Sequence, residues 1–331
     1  MLHSSQSRVP LALAPMLAIF VAFATLPLWI KGIGLYPYLG VEVMIWVVYA
    51  LGFNLLLGYA GLPSFGHGAY FGVGAYAFGL TQLHLGAGLW ASLAAAIAAG
   101  ALAGALVGLF ISHRRGIYYA LLTIAFGQIF WFVAIKWHSV TRGEDGLLNI
   151  KRLPADFGFA SFDIQKLEHL YYFCFAIFVI AVLLLWRLVH SPFGRVLTAI
   201  KQNETRARFV GYNVWLYKWL AFTLSALVAG VAGGLFALAQ QSAYPNVMSL
   251  HQSGFVVMMT LVGGGLVSFW GPVLGAVLFF IARDLLGAYT EAWLLWYGLL
   301  FMVIVLFRPE GLAGMMEGVR SKTGVRSKQA A

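Results

Sequence analysis

Charge is scarce in this chain, and cysteine is almost missing. Only 10% of its 331 residues are Asp, Glu, Lys or Arg, against roughly 25% in a soluble domain. Hydrophobic residues make up 61%, and mean hydropathy is +0.85. That balance excludes an ordinary soluble globule and leaves an integral membrane protein, embedded over most of its length. With Cys174 as the only cysteine, neither an intramolecular disulfide nor a cysteine metal site can form. No G-x-x-x-x-G-K-[ST] is present, so the chain has no P-loop to cradle nucleotide phosphates. No H-E-x-x-H is present for a membrane metalloprotease either. Ionisable residues within the apolar runs are few: Glu42, Lys136, Arg283, Asp284 and Glu291, most of them near run ends. Ion-driven carriers generally need such groups at mid-membrane, so the energy for any transport is expected from elsewhere. Ser64 and His67 lie close together but lack a third group, and no catalytic or metal-binding residue is assigned.

What is present is apolar length. Runs adequate for a membrane helix, about 20 residues, fall near 10–31, 37–57, 62–83, 88–112, 116–137, 169–189, 215–240, 252–270, 272–290 and 292–308. The expected fold is all-α: a polytopic integral membrane protein of about ten transmembrane or re-entrant helices. Glycine crowds 58–79 and 263–275. Those stretches read equally as crossings or as broken, re-entrant segments, which membrane depth tolerates only inside protein or along a cavity.

With ten crossings and an internal N-terminus, segments 1–9, 113–115, 187–218 and 308–331 face the cytoplasm. They hold one, two, six and five Lys/Arg, 14 of the 21 in the chain. The outer loops 84–87, 241–251 and 287–291 hold none, and the long outer loop 137–168 balances four cations with five acids. This is the positive-inside pattern. It accounts for the net charge of +10 without nucleic acid and puts both termini in the cytoplasm. The apolar run from Val9 to Ile30 exceeds the roughly 7–15 residues of a signal-peptide core and reads as a retained first span. The expected organisation is a cytoplasmic N-terminus (1–9), one membrane domain (10–317) and a disordered basic tail (318–331) able to touch anionic lipid headgroups.

The most informative polar insert is 190–218, HSPFGRVLTAIKQNETRARFVGYNVWLYK, with five cations against the single acid Glu204. Flanked by long apolar runs, it must lie outside the lipid, and its sign places it on the cytoplasmic side. Free of Pro and Gly from Arg195 to Val210, it is expected to form a short helix that Gly211 stops. An amphipathic helix offered to the cytoplasm points to a partner. Its candidate contacts are Arg195, Lys201, Glu204, Arg206, Arg208 and Gly211.

The glycine-rich stretches carry two readings. Asn54, Gly58, Gly61, Ser64, Gly66, His67 and Gly68, with Gly263, Gly264, Gly265, Ser268 and Trp270, could flank a solute pathway whose freed backbone groups meet a polar solute. The same glycines equally suit tight helix packing. His67 alone reads as a packed, hydrogen-bonded histidine more than as a gate. The outer turn Thr141–Gly146 reads as a surface turn, or as a docking point for a solute-delivering partner through Arg142, Glu144 and Asp145. Arg283 and Asp284 are adjacent, about 100° apart on a helix, and each is expected to reach water or another helix.

Five blocks follow one another in order: GFNLLLGYAGLPSFGHGAYFGVGAY, RGIYYALLTIAFGQIFW from Arg115, TRGEDGL, SPFGRVLTAIKQNETRARFVGYN and GGGLVSFWGPVLGA. Together, over roughly residues 35–312, they resemble the inner-membrane permease subunits of branched-chain amino-acid (high-affinity Leu/Ile/Val) ABC importers. The resemblance implies a non-enzymatic transporter subunit, multi-pass in a bacterial inner membrane, with no cofactor of its own. It further implies a second, related permease, two cytoplasmic ATPase subunits that bind ATP and Mg2+, and a periplasmic substrate-binding protein. Segment 190–214 would then be the coupling segment that seats in an ATPase cleft. Where the family often has Thr-Gly-Gly-x-Asp-Gly in the outer turn, this chain has Arg142 and Glu144, which implies a different docking partner or solute. The family is also similar to carriers of urea and short amides and of small aromatic carboxylates. The solute therefore stays open, as does an ion-driven carrier.

Overall fold

Among the described residues ten long helices carry the chain, one of them, Pro37–Asn54, buried almost throughout. The computed structural model describes residues 9–156, 161–308 and 310–315. The expected N-terminal segment, up to residue 8, and the basic tail 318–331 lie outside the described residues. In chain order the helices are α1 (Val9–Trp29), α2 (Pro37–Asn54), α3 (Gly68–Leu85), α4 (Leu89–Ile111), α5 (Gly116–Lys136), the single turn α6 (His138–Thr141) and α7 (Leu167–His190). They continue as α8 (Pro192–Gln202), α9 (Glu204–Phe209), α10 (Val214–Gln240), α11 (Leu250–Gly263), α12 (Gly271–Tyr289) and α13 (Trp293–Phe307). A two-residue antiparallel ribbon, Ala155–Asp156 with Ser161–Phe162, interrupts the otherwise helical chain.

Helix boundaries follow local chemistry. Proline stands in the first turn of α2, α8 and α12, where its missing N–H costs no helical bond. Residues in the left-handed region close α3 at Gly86 and α11 at Gly264. α2 continues beyond Asn54 as a π-helical turn, Leu55–Ala60, which ends at Gly61 with φ +69°.

Among the described residues, six helices are long and apolar enough to cross a membrane: Pro37–Ala60, Leu89–Ile111, Gly116–Lys136, Leu167–His190, Val214–Gln240 and Gly271–Tyr289. Pro15–Trp29, Leu250–Gly263 and Trp293–Phe307 are shorter apolar helices. The chain is an all-α, multi-pass membrane protein. Two expected runs are shorter as helices than as apolar sequence, and both shortfalls lie in the glycine-rich stretches. The run expected at 62–83 is irregular from Gly61 and becomes helical only at Gly68. His67, just before α3, sits beside Ser225 in the middle of α10, so α3 starts inside the bundle. The run expected at 252–270 ends as helix at Gly263, because Gly264 turns left-handed (φ +91°) and a tight turn leads to α12. α11 has 14 residues, about 21 Å of rise, less than a hydrocarbon core of about 30 Å.

The interior is built on α2, α3 and α10. α2 is buried from Leu39 to Asn54 apart from Glu42 and Trp46. α3, α4 and α10 meet at glycine: a Cβ on Gly100 would lie 2.9 Å from the Gly230 Cα, and one on Gly74 would lie 2.5 Å from the Gly230 oxygen. Small residues let helix backbones come this close where apolar packing supplies no net hydrophobic drive. Outward, α4 and α5 present Leu102, Leu106, Phe110, Ile117, Leu121, Ile129 and Phe132. Such a surface is costly in water and at ease in hydrocarbon.

Candidate functional site

The polar insert forms an elbow, α8 followed by α9. It differs from the single helix expected over 195–210. The break falls at Asn203, which is extended (φ −160°, ψ 102°) and caps α9 by accepting from the Arg206 N–H at 2.8 Å. No Pro or Gly was needed, because an asparagine side chain can replace the first helical partners. α8 buries Gly194, Val196, Leu197 and Ile200 and exposes Arg195, Ala199 and Lys201. Val196 and Ile200 meet Ala207 and Val214 in a small core of their own, against Tyr217. Gly211, with φ +97°, ends the elbow.

The expected contact residues separate into two groups. Arg195 and Arg206 are exposed, and Arg208 is exposed while pairing with Glu204 at 3.4 Å. Glu204 is half-buried, and Lys201, though exposed along its length, turns its ammonium inward. Glu204 also pairs at 3.6 Å with Lys218, itself buried, whose ammonium donates to the Arg114 carbonyl at 2.5 Å. This chain ties α9 to the α4–α5 turn. Lys201 donates from Nζ to the Gly58 carbonyl at 2.8 Å and to the Leu266 carbonyl at 3.2 Å. Burial draws its ammonium below the ordinary lysine range. Sequence reasoning passed over three apolar residues that extend the exposed face: Phe209 (87% exposed), Val210 and Tyr212. Their signal was legible as large apolar side chains inside a segment that must lie outside lipid. Beside Arg206 and Arg208 they give the elbow the mix of aromatic knob and guanidinium typical of protein–protein hot spots.

Most of the candidate pathway residues pack inside this chain. Asn54, Gly58, Ser64, Gly66, His67, Gly68, Gly263, Gly264 and Gly265 are buried, whereas Gly61 is exposed and Ser268 and Trp270 are half-buried. His67 bonds the Ser225 hydroxyl through Nε2 at 3.0 Å and stacks on Tyr49, with Phe53, Tyr70 and Phe222 edge-on. The Ser225 hydroxyl donates to the Gly52 carbonyl at 2.6 Å. Gly68 donates its N–H to the Ser253 hydroxyl at 2.9 Å, joining the starts of α3 and α11. The two glycine-rich stretches converge on Asn54: a Cβ on Gly265 would lie 2.6 Å from its Oδ1, and one on Gly58 would lie 2.5 Å from the Gly265 oxygen.

At the far end of α2 lies a second polar group. Arg283 pairs with Glu42 at 2.7 Å and with its neighbour Asp284 at 3.1 Å, lies 4.6 Å above the Phe280 ring, and Gln240 donates to Glu42 at 3.3 Å. Arg283 reaches another helix through Glu42, as expected, and pairs as well with its neighbour Asp284. The reach of the guanidinium overcomes the angle between adjacent helical positions.

The Thr141–Gly146 turn is fastened by several hydrogen bonds and forms a platform. Arg142 is left-handed (φ +60°), as are Gly143 and Gly146. Leu147 and Ala243 exchange N–H···O bonds of 2.7 and 2.8 Å, and the Thr141 hydroxyl donates to the Ala134 carbonyl at 2.6 Å. Arg142, Glu144 and Asp145 all stand exposed on it. Among the described residues no group of three or more His, Cys, Asp or Glu could hold a metal ion.

The chain matches the family model described as "Branched-chain amino acid transport system / permease component" over residues 37–308. It is 31% identical over 307 residues to the high-affinity branched-chain amino acid transport system permease protein LivM of Salmonella typhimurium, covering 87% of this chain and 71% of the relative. The protein of that name from Escherichia coli is 31% identical, over 82% and 68% of the two chains. A probable branched-chain amino acid transport permease protein LivM of Methanocaldococcus jannaschii is 25% identical, over 81% and 90%. No solved structure matches.

Proposed function

This chain belongs to the family of permease components of branched-chain amino acid transport systems, the ABC-importer type, and on that premise we propose that it moves branched-chain amino acids inward with energy received at the α8–α9 elbow. The observation that carries this reading is the elbow itself. It is a compact cationic surface with an exposed aromatic knob, tied by Lys201 and Glu204 to the helices behind it. A face that only met water would need neither Phe209 nor those internal ties.

In this reading segment 190–214 and both termini are cytoplasmic, and the chain crosses or re-enters a bacterial inner membrane about ten times within the domain 10–317. Two ATPase subunits bind ATP and Mg2+ below, one of them seating the elbow through Arg195, Arg206 and Arg208, where charge pairs fix register. A second, related permease completes the pathway. A periplasmic binding protein meets the platform of Arg142, Glu144 and Asp145. The buried glycines let the helices pack and bend, while Gly61, Ser268 and Trp270 are the candidates that could face a solute between two permeases. Branched-chain amino acids are the solutes named for the relatives and are assigned to this chain on that ground.

Charge reversal tests it. Arg206→Glu with Arg208→Glu should leave the protein at its normal level in the membrane, prevent an ATPase from co-purifying and abolish uptake of radiolabelled leucine. Unchanged uptake in that double variant would remove the elbow from the mechanism.

A further inference from the structure

We propose that Lys201 is an internal link rather than a partner contact: it carries movement of α8 to both glycine-rich stretches at once. The proposal rests on reading the elbow as the docking segment and adds the route by which its displacement enters the membrane domain.

The link follows from how the π-turn ends. A π-helical carbonyl at residue 58 would accept from the N–H of residue 63, but residue 63 is proline and has no N–H. The N–H of Leu62 is spent on the Leu56 carbonyl at 2.9 Å. The Gly58 carbonyl is therefore left facing α8, and the Lys201 ammonium takes it at 2.8 Å. The same ammonium holds the Leu266 carbonyl, at 3.2 Å, in the turn that follows α11. Charged donors on helix-terminal carbonyls make strong bonds. Glycine at position 61 lets the lysine stem lie against the backbone: a Cβ there would be 2.9 Å from the Lys201 Cγ. No other cation of the elbow does this.

A second observation concerns what is being held. Asn54 lies between the two linked segments, 1% exposed, and neither its Oδ1 nor its Nδ2 has a hydrogen-bond partner. Buried amides are nearly always paired, so this one sits where the link has polar capacity to spare among the described residues. Gly58 and Gly265 both lie against its Oδ1, where a Cβ on either would come within 2.6 Å. Lys201 holds both sides of that gap from the helix that a partner would push.

The experiment uses the full chain in its membrane complex. Lys201→Met keeps the stem and removes the ammonium, Lys201→Arg keeps the charge, and the Arg206→Glu/Arg208→Glu variant is the control. Leucine uptake per ATP hydrolysed should fall about tenfold in Lys201→Met, within the range usual for coupling between two sites. ATPase recruitment should stay normal, and Lys201→Arg should recover most of the ratio. Spin labels at Ala199→Cys and Val267→Cys, both exposed positions, should report one narrow distance that persists with nucleotide in the native background and broadens in Lys201→Met. If Lys201→Met does not reach the membrane, Lys201→Gln, which keeps a polar stem and removes the ammonium, takes its place with the same expectations. An unchanged ratio and an unchanged distance overturn the link. If that happens beside an uncoupled Arg206→Glu/Arg208→Glu, only the link falls. If the control itself stays coupled, the elbow reading falls and the link with it.

Discussion

The two ends of α2 handle positive charge in opposite ways. Beyond its first turns, Arg283 is enclosed: Glu42 and Asp284 take its guanidinium, Phe280 lies beneath it, and Gln240 completes the group. Beyond its π-turn, the elbow leaves Arg195 and Arg206 with no acid among the described residues and sets Phe209 beside them in the open. The first arrangement fastens α2 to α12 and α10. The second fastens the chain to nothing of its own. Cations near helix ends thus divide by what surrounds them, and only the open set has free energy left to give a partner.

The enclosed set offers the larger effect on stability. Arg283→Leu leaves two carboxylates facing each other and should lower stability by about 2–3 kcal/mol, somewhat under the cost of breaking a fully buried pair because water still reaches the site. The loss should be seen as a drop in the thermal midpoint in detergent. A variant as stable as the native chain would erase the distinction between the two ends. Phe209→Ala should do the reverse, weakening ATPase association about tenfold with the midpoint unchanged, as read from co-purification at graded detergent and salt. Loss of stability without loss of association would make Phe209 a packing residue. The smallest effect is expected of Asn203→Ala. Removing the α9 cap should cost about 1 kcal/mol locally and appear as faster hydrogen exchange over 204–210. Unaltered exchange would show that the small core around Ala207 holds α9 without its cap.

Much of the architecture was legible in the chain. The helical, membrane-spanning character was legible in the apolar runs, six of which form helices long and apolar enough to cross among the described residues, and the elbow lies where the one strongly basic insert interrupts them. The misreadings have specific causes. The break at Asn203 was missed because side-chain capping leaves a weaker trace than Pro or Gly. α3 and α11 are shorter than their apolar runs because burial permits irregular backbone that hydropathy cannot distinguish from helix. Lys201 looked like its exposed neighbours since nothing local says which cation will find a carbonyl abandoned by a proline far away in sequence. His67 was read as a packed histidine more than as a gate, and it is packed; its partner Ser225, 158 positions distant, left no local trace. Arg283 does reach another helix, at Glu42, and its added pairing with Asp284 comes from the length of its arm.

The glycine crossing of α3, α4 and α10 has a consequence for heredity. A methyl group on Gly230 would meet the Ala96 oxygen at 2.6 Å, and one on Gly100 would meet the Ala226 oxygen at 2.8 Å. A single-codon change at either position therefore presses on a neighbouring backbone that has no smaller residue to retreat to. No second substitution can make room, since the obstacle is main chain, so a side chain at either position would have to push the helices themselves apart.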